Sequence, residues 1–308
     1  MKEKTLFIIN PEAGKGRGRK ILPQMFRILS GYPLRTEIIL TERPNHATEI
    51  VRQHRNDFKT ICAAGGDGTL NEVLNGLDGT SGNTIGIIPV GSGNDFARTA
   101  GIGKNLSEAL KVILGGGAKV REIDTGFLKY KENKTESPVI CRQFINSAGI
   151  GFDAIVSDLI KNNSFFKGLP LYISAVIQAL FMYRLMDVSC SFDGNFIIKG
   201  KKLLIAISNG KTYGGGLRVN PEAEIDDGFL DACLVADMSI GKIIREFHKF
   251  IRGTHANVEG IDIRRFKSAS VGTFNPVYIH TDGEVISKSA IEVEIGINPI
   301  RQKFIFAE

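Results

Sequence analysis

Cys62-Ala-Ala-Gly-Gly-Asp-Gly-Thr-Leu-Asn-Glu72 is the stretch on which the reading of this 308-residue chain turns. The apolar run Thr60–Ala64 enters it, and a helical pattern from Leu70 to about Asn75 leaves it. Between them stand Gly65, Gly66 and Gly68, three glycines in four positions. Glycine permits backbone conformations closed to other residues and lets a ligand approach the main chain. A helix starting near Thr69 aims its free N–H groups and positive dipole end into that space, which suits a phosphate. Asp67 is the one acid inside such an anion site, and it tolerates phosphate only with Mg²⁺ or water between them. The plainer reading, a tight turn with Asp67 as helix cap, does not need so many glycines. Neither the G-x-x-x-x-G-K-[ST] pattern nor the G-x-G-x-x-G spacing is present.

Working outward, Thr5–Asn10, Arg35–Leu40 and Thr84–Pro89 also read as strands. Lys20–Leu29, Ala47–Asn56 and Asp95–Thr99 read as helices. This alternation predicts a mostly parallel sheet covered on both faces, with ligands bound beyond the carboxyl ends of its strands. The glycine-rich turns after Asn10, Ala64 and Val90 all fall at that edge. After Asp124 the texture changes to strand-like runs: Gly126–Tyr130, Val139–Ile145, Val188–Phe192, Lys202–Ser208, Phe229–Val235, Ser268–Phe274, Val277–Thr281 and Ile291–Ile297. Only Leu169–Leu185 and Ser239–Arg252 look helical among them. The expected architecture is an N-terminal α/β nucleotide-binding domain, 1–124, followed by a β-sandwich-like domain, 125–298. The segment 299–308 is a candidate to complete the first.

Composition narrows the class. Hydrophobic residues at 43% and charged residues at 23% are ordinary for a folded globular protein. The net charge of +6 is spread along the chain and suits anionic partners such as nucleotides or an acidic membrane surface. No arginine-rich block or nucleic-acid motif is present, so nucleic-acid binding is disfavoured. Cys62, Cys141, Cys190 and Cys233 form no C-x-x-C pair and read as buried small hydrophobes in a reducing compartment. The N-terminal apolar run is too short for a signal peptide. The longest apolar stretch, Leu169 to Met186, falls short of the roughly 20 clean residues of a membrane span. A cytoplasmic chain with transient, peripheral membrane contact is expected.

Three further motifs accompany the glycine turn. Asn10-Pro11-Glu12-Ala13-Gly14-Lys15-Gly16 follows the first strand, with Arg17, Arg19 and Lys20 nearby. Pro89-Val-Gly-Ser-Gly-Asn-Asp-Phe-Ala-Arg98 follows the fourth. Gly214-Gly-Gly precedes Pro221-Glu-Ala-Glu-Ile-Asp-Asp-Gly228, and Thr281-Asp-Gly-Glu284 lies near the end. The G-G-D-G-T turn resembles the motif shared by diacylglycerol, sphingosine and NAD kinases and phosphofructokinases. The other stretches, in family order from residue 9 to residue 284, are similar to those of the soluble bacterial diacylglycerol kinases. The resemblance implies an NAD kinase/diacylglycerol kinase-like fold and phosphoryl transfer from MgATP to a lipid hydroxyl, diacylglycerol first among the acceptors.

It also implies roles. The nucleotide is held at Asn10, Pro11 and Gly14, at Thr41, through Gly65, Gly66, Asp67, Gly68, Thr69, Asn71 and Glu72, and at Ser92 and Asn94. Asp67, Asp95 and Asp124 form a water-linked network around a catalytic Mg²⁺. A structural Mg²⁺ is held by Asp227 with main-chain carbonyls of Glu224 and Phe229. Asp282 and Glu284 supply the catalytic base. Where relatives often carry two Thr/Ser residues this chain has Ser92-Gly93, one hydroxyl fewer.

Phosphoryl transfer asks a protein mainly for positioning and charge neutralisation, plus a carboxylate near the acceptor hydroxyl. Gly283 suggests a turn between Asp282 and Glu284, which leaves open which acid reaches the hydroxyl. Asp226-Asp227-Gly228 is by itself an ordinary turn sequence. His46, His54, His248, His255 and His280 have no metal spacing and read as surface or packing residues, His280 standing out beside the D-G-E turn. The apolar stretch Leu169–Tyr183 reads as a helix packed on the sandwich. Its sharper alternative lines an acyl groove or rests on a bilayer, with Lys161, Lys167 and Arg184 meeting headgroups. The expected partners are ATP and a lipid substrate at a membrane surface, with a second copy of the chain a further candidate. Rival readings are an NAD kinase, against which the Asn10 start and the Asn94–Arg98 stretch weigh, and a nucleotide sensor without catalysis.

Overall fold

The computed structural model describes residues 4–32, 35–115, 119–133, 137–162 and 169–307. In chain order the first elements are β1 (Lys4–Ile9), α1 (Ala13–Leu29), β2 (Arg35–Leu40), α2 (His46–His54), β3 (Thr60–Gly65), α3 (Asp67–Gly76), β4 (Thr84–Pro89), α4 (Asp95–Thr99), α5 (Leu106–Leu114) and β5 (Lys119–Ile123). There follow β6 (Gly126–Glu132), β7 (Ile140–Phe144), β8 (Ser147–Gly151), α6 (Phe152–Asn162), α7 (Leu169–Met182), β9 (Met186–Phe192), β10 (Phe196–Ser208) and β11 (Leu230–Ala236). The last are α8 (Ile240–Arg252), β12 (Ile261–Phe266), β13 (Ser268–Thr281), β14 (Glu284–Ile297) and β15 (Gln302–Phe306). The chain divides into two compact units, 1–123 with 299–308, and 124–298.

The first unit is an α/β layer structure. Its six-stranded sheet has the order β2-β1-β3-β4-β15-β5. β1, β3 and β4 pair in parallel and are buried along nearly their whole length, which is why they read as apolar runs rather than alternating ones. β15 continues the parallel run beside β4 and pairs antiparallel with β5 at the edge. The crossovers from β1 and from β3 leave toward opposite edges, so the boundary between these strands is the topological switch point, where open α/β sheets place their ligands. α1 opens with Gly14, Lys15 and Gly16 in left-handed conformations (φ 61°, 61° and 82°), so its start is a loop and regular helix follows. Helix α5 was not anticipated from the sequence, although Asn105 caps it by accepting from Ser107 and Glu108 N–H at 3.0 and 3.3 Å.

The second unit is built on a nine-stranded antiparallel sheet with the order β12-β11-β10-β8-β13-β14-β6-β7, and β9 pairs both β10 and β13. The long strands β10 and β13 each pair with β9 at one end and β8 at the other, and this curls the sheet around one interior. Leu128, Phe144, Ile150, Val188, Leu230 and Phe266 are among the side chains that fill it. Ser268–Phe274 and Val277–Thr281, read as two strands, are one: β13 absorbs Asn275-Pro276 through a register shift between Gly272 and Val277. Bulges are where a strand tolerates proline. β8, α6 and β12 were not anticipated. A second interior, formed by α6, α7, α8 and the outer face of the sheet, includes Phe152, Val176, Leu180, Tyr213 and Val235.

Cys62, Cys190 and Cys233 are buried, and Cys141 is exposed, which corrects the expectation for that residue. Cys141 stands on β7, the last strand of the sheet, where one neighbour is lacking. Among the described residues no helix is long and apolar enough to cross a membrane. Lys167 lies outside the described residues.

Candidate active site

In the first unit the expected nucleotide residues converge at the switch point because three turns interlock where side chains are missing. Asn10 ends β1 by donating its N–H to Ala64 O at 3.0 Å, and its Nδ2 donates to Thr69 Oγ1 at 3.3 Å. A Cβ on Gly14 would stand 2.2 Å from Val90 O, so the first turn abuts the third. A Cβ on Gly91 would stand 2.5 Å from Gly66 Cα, so the second and third turns touch main chain to main chain. Pro11 is buried, and its carbonyl accepts from Arg19 N–H at 3.0 Å. Thr41 leaves β2 with its N–H on Ile9 O at 2.9 Å, beside the end of β1.

Helix α3 begins at this junction. Its N-cap is Gly66, with no side chain to satisfy the first turn. The N–H groups of Asp67, Gly68 and Thr69 therefore stand where a helix has no internal acceptor, with the positive dipole end behind them. Asp67 Oδ1 accepts from Phe96 N–H at 3.2 Å, which fixes α4 against the turn. Its Oδ2 lies 3.0 Å, and Asp95 Oδ2 lies 3.9 Å, from the point where a Cβ on Gly93 would stand. Two carboxylates thus border one space beside a helix N-terminus. Arg98 holds Asp95 at 2.6 Å and Gly93 O at 2.9 Å, and Asp95 is mostly buried. Asn94 occupies the left-handed region (φ 54°, ψ 49°), donates to Gly91 O at 2.7 Å, and leaves a buried Oδ1 without a hydrogen bond. Ser92 is exposed.

Two expected residues have structural partners. Glu72 accepts at both oxygens, from Asn45 N–H at 2.9 Å and Ala47 N–H at 3.1 Å, and so caps α2. Asn71 accepts through its Oδ1 and its carbonyl from Asn75 Nδ2, one turn on.

In the second unit Asp124 pins the 225–228 turn. Its N–H donates to Ile225 O and its Oδ2 accepts from Gly228 N–H, both at 2.7 Å. Asp227 Oδ1 accepts from Phe229 N–H at 3.0 Å, while Oδ2 is buried without a hydrogen bond, 3.2 Å from Arg265 Nη1. Asp231, on the same arginine at 3.6 Å, is raised above the usual carboxylate range by burial. Among the described residues no group of three or more His, Cys, Asp or Glu gathers at metal-holding distance. The donors nonetheless fit hard cations. Asp67 and Asp95 offer carboxylate oxygens to one space, and the Asp227 Oδ2 atom is a buried anionic oxygen short of donors. Beside Asp227, Arg265 supplies the countercharge.

The D-G-E turn separates its two acids. Asp282 sits in the left-handed region (φ 47°), and its carboxylate accepts from the N–H groups of Ile145, Asn146 and Ser147 at 3.0, 2.8 and 3.0 Å. Glu284, nearly half exposed, contacts Lys161 Nζ at 2.7 Å. Behind the turn lies a buried hydrogen-bonded cluster that no sequence motif marked. His280 Nδ1 accepts from Gly283 N–H at 3.3 Å, which leaves the proton on Nε2, facing Asp153 Oδ2 at 3.2 Å. The Tyr213 hydroxyl reaches the same oxygen at 3.4 Å, and burial, reinforced by Asp153, pushes that phenol well up. His280 and Asp153 are 1% and 4% exposed. The only sequence signal was the position of His280 next to Asp282-Gly283-Glu284.

Comparison with known proteins bears on the family and the fold. The family profile described as diacylglycerol kinase catalytic domain matches residues 4–128. The profile described as YegS C-terminal NAD kinase beta sandwich-like domain matches residues 146–301. Diacylglycerol kinase of Staphylococcus saprophyticus is 28% identical over 288 residues, covering 92% of this chain and 90% of that protein. The enzyme so named in Staphylococcus aureus strain MRSA252 is also 28% identical, with 92% and 87% covered. A crystal structure of a diacylglycerol kinase from Bacillus anthracis superposes with a TM-score of 0.72 at 26% identity, covering 99% of this chain and 97% of that one. Yeast NADH kinase, at 12% identity and a TM-score of 0.56 over 100% and 84% of the chains, shares the fold.

Proposed function

The chain belongs to the bacterial diacylglycerol kinase family of lipid kinases, and on that premise we propose that it transfers the γ-phosphoryl group of MgATP to the hydroxyl of diacylglycerol, giving phosphatidic acid. The observation that carries the nucleotide half is the junction of three turns at the switch point, with the uncapped start of α3 and the Asp67–Asp95 pair facing one space. Backbone N–H groups of Asp67–Thr69 bind phosphate oxygens there, and Asn10 and Asn94 keep the turns in place. Asp67 and Asp95 would hold Mg²⁺ there, and the ion would supply neutralisation of the phosphate charge. A second Mg²⁺ at Asp227, with the carbonyls of Glu224 and Phe229, and the participation of Asp124 belong to the same proposal.

Glu284 is the better base of the two acids. The Asp282 carboxylate accepts from three main-chain N–H groups, whereas the Glu284 carboxylate faces an exposed lysine at the surface. In the step, the acceptor oxygen forms its bond to the γ-phosphorus while the bridge to the β-phosphate breaks. ADP leaves with that electron pair, and the hydroxyl proton passes to Glu284. The same proposal has the chain act in the cytoplasm, in transient contact with the membrane that holds the diacylglycerol.

A radiolabelled-ATP assay against diacylglycerol, sphingoid bases, ceramide and NAD tests the proposal. Label in phosphatidic acid supports it. Label in NADP alone, with every lipid alcohol untouched, overturns it, and label in another lipid corrects the acceptor only.

A further inference from the structure

Helix α8 is amphipathic, yet it is set on the protein so that half of its apolar arc faces outward. With successive residues about 100° apart, Ile240, Ile243, Ile244, Phe247, Phe250 and Ile251 share one arc, and Arg245, His248, Lys249 and Arg252 fill the next. An arc of that kind normally covers a core. Here Ile243, Phe247 and Phe250 pack on the second interior. Ile240, Ile244 and Ile251 are 41%, 58% and 39% exposed, and no residue of the helix is buried. The neighbouring α7 does the same. Ala175, Val176, Ala179 and Leu180 are buried, while Ile173, Ile177 and Phe181, four residues apart, lie outward. Phe181 is 78% exposed. Tyr172 of α7 stacks on Phe247 of α8 with ring centroids 6.5 Å apart. Both helices wall a small apolar pocket, lined among others by Tyr172, Val176, Leu217, Ile243, Phe247 and Phe250.

We propose that this α7–α8 face docks the protein on an anionic lipid surface, with α8 lying in the interface plane. The inference rests on the lipid-kinase reading and names the partner surface of its second unit. Exposed isoleucines bordered by a basic arc are what a helix needs to sink its apolar side below the headgroups while its cations meet them. α8 carries four lysines and arginines against one acid, Glu246, which already holds Arg245 at 2.9 Å and Lys249 at 2.7 Å. A second copy of the chain fits less well. A two-fold contact through this face sets the basic arcs of two chains of net charge +6 beside each other. On a membrane, by contrast, the outward side chains of Ile240, Ile244 and Phe181 enter the acyl layer while the basic arc meets anionic headgroups.

The test is co-sedimentation of the full chain with vesicles of phosphatidylglycerol and phosphatidylcholine, and of phosphatidylcholine alone, at rising salt. The chain is expected to bind the anionic vesicles and to release as salt screens the charges. The Ile240→Glu/Ile244→Glu pair weakens that binding about tenfold or more. Arg245→Gln/Arg252→Gln weakens it on anionic vesicles only, and Phe274→Glu, at an exposed strand position, leaves it unchanged. Far-ultraviolet circular dichroism melts matching the parent confirm that the variants are folded. No binding by the parent, or equal binding by the isoleucine pair, overturns the proposal. So does a concentration-dependent dimer that the isoleucine pair abolishes while vesicle binding persists. Turnover of a water-soluble short-chain diacylglycerol separates this inference from the kinase reading. Retained turnover with lost vesicle binding upholds both, and absent turnover with intact docking sinks the acceptor assignment alone.

Discussion

Asn146 donates its main-chain N–H to Asp282 Oδ1 at 2.8 Å across 136 residues of chain, and Ile145 and Ser147 donate to the same carboxylate from either side. The Asp282 N–H returns a bond to Ser147 O at 2.7 Å. One acid of the D-G-E turn is thus a brace that joins the start of β8 to the end of β13, and the other is left at the surface.

Replacing the two acids should therefore give different phenotypes. Asp282→Asn exchanges one accepting oxygen for an amide that opposes an N–H donor, so it is expected to cost about 1–3 kcal/mol of stability and lower the melting temperature. Glu284→Gln should melt like the parent, bind nucleotide, and lose turnover by about 10²-fold or more. Melting curves and turnover measured side by side decide this; unchanged turnover in Glu284→Gln removes it as the base.

Gly91→Ala puts a Cβ 2.5 Å from Gly66 Cα, and main chain there cannot swing aside as a side chain would. The second and third turns must separate, so nucleotide affinity is expected to fall by about tenfold or more. Gly16→Ala meets open space, although its φ of 82° carries a strain of about 1 kcal/mol. Isothermal titration of both variants with a non-hydrolysable ATP analogue compares them. Equal affinities in the two would mean that the contact between the turns is dispensable.

Glu72 and Asp67 stand on one helix but face different tasks. Glu72→Gln loses charge at the cap of α2 and should destabilise by about 1 kcal/mol. Asp67→Asn removes an anion from the space shared with Asp95 and should weaken Mg²⁺-dependent nucleotide binding more than it lowers the melting temperature. The contrast is read from denaturant unfolding and from nucleotide titration with and without Mg²⁺. A larger stability loss in Asp67→Asn than in Glu72→Gln goes against this division of roles.

His255 makes stability depend on pH. It is fully buried, stacks on Phe250 of α8 with ring centroids 3.9 Å apart, and shares a hydrogen bond between Nε2 and Val219 O at 2.8 Å. Burial lowers its pKa below 6.5. In the pH range between the depressed folded value and 6.5 the unfolded chain binds the proton more readily, so stability is present above 6.5 and falls as the pH drops through that range. Melting temperatures across this interval should show the fall, and His255→Gln should reduce its slope; an identical slope in the variant assigns it to other groups.

The legible parts of this fold and site were local ones. Gly65–Thr69 reads as a phosphate turn because a strand end, a flexible turn and a helix start all lie within a few residues, and such a site would be made by the backbone itself. Strands β1, β3 and β4 showed as apolar runs because both their faces are buried. Helix α5 was hidden by the polar, glycine-rich approach to its cap at Asn105, and β13 was split by its own bulge at Asn275-Pro276.

The sequence by itself determined the class of protein: a parallel α/β unit with glycine turns at one edge, a strand-rich unit after it, and motifs ordered as in the diacylglycerol kinases. Those features depend on periodicity, on glycine's freedom and on the spacing of acids, which a chain carries before it folds. Only the tertiary structure decided what each acid touches. Gly66 meets Gly91, Asp67 meets Phe96, Asp282 meets Asn146 and His280 meets Asp153 across 127 residues. A carboxylate becomes a brace or is left at the surface according to how many donors the fold brings to it. Those donors come from distant segments, so no reading of neighbours along the chain could have told Asp282 from Glu284.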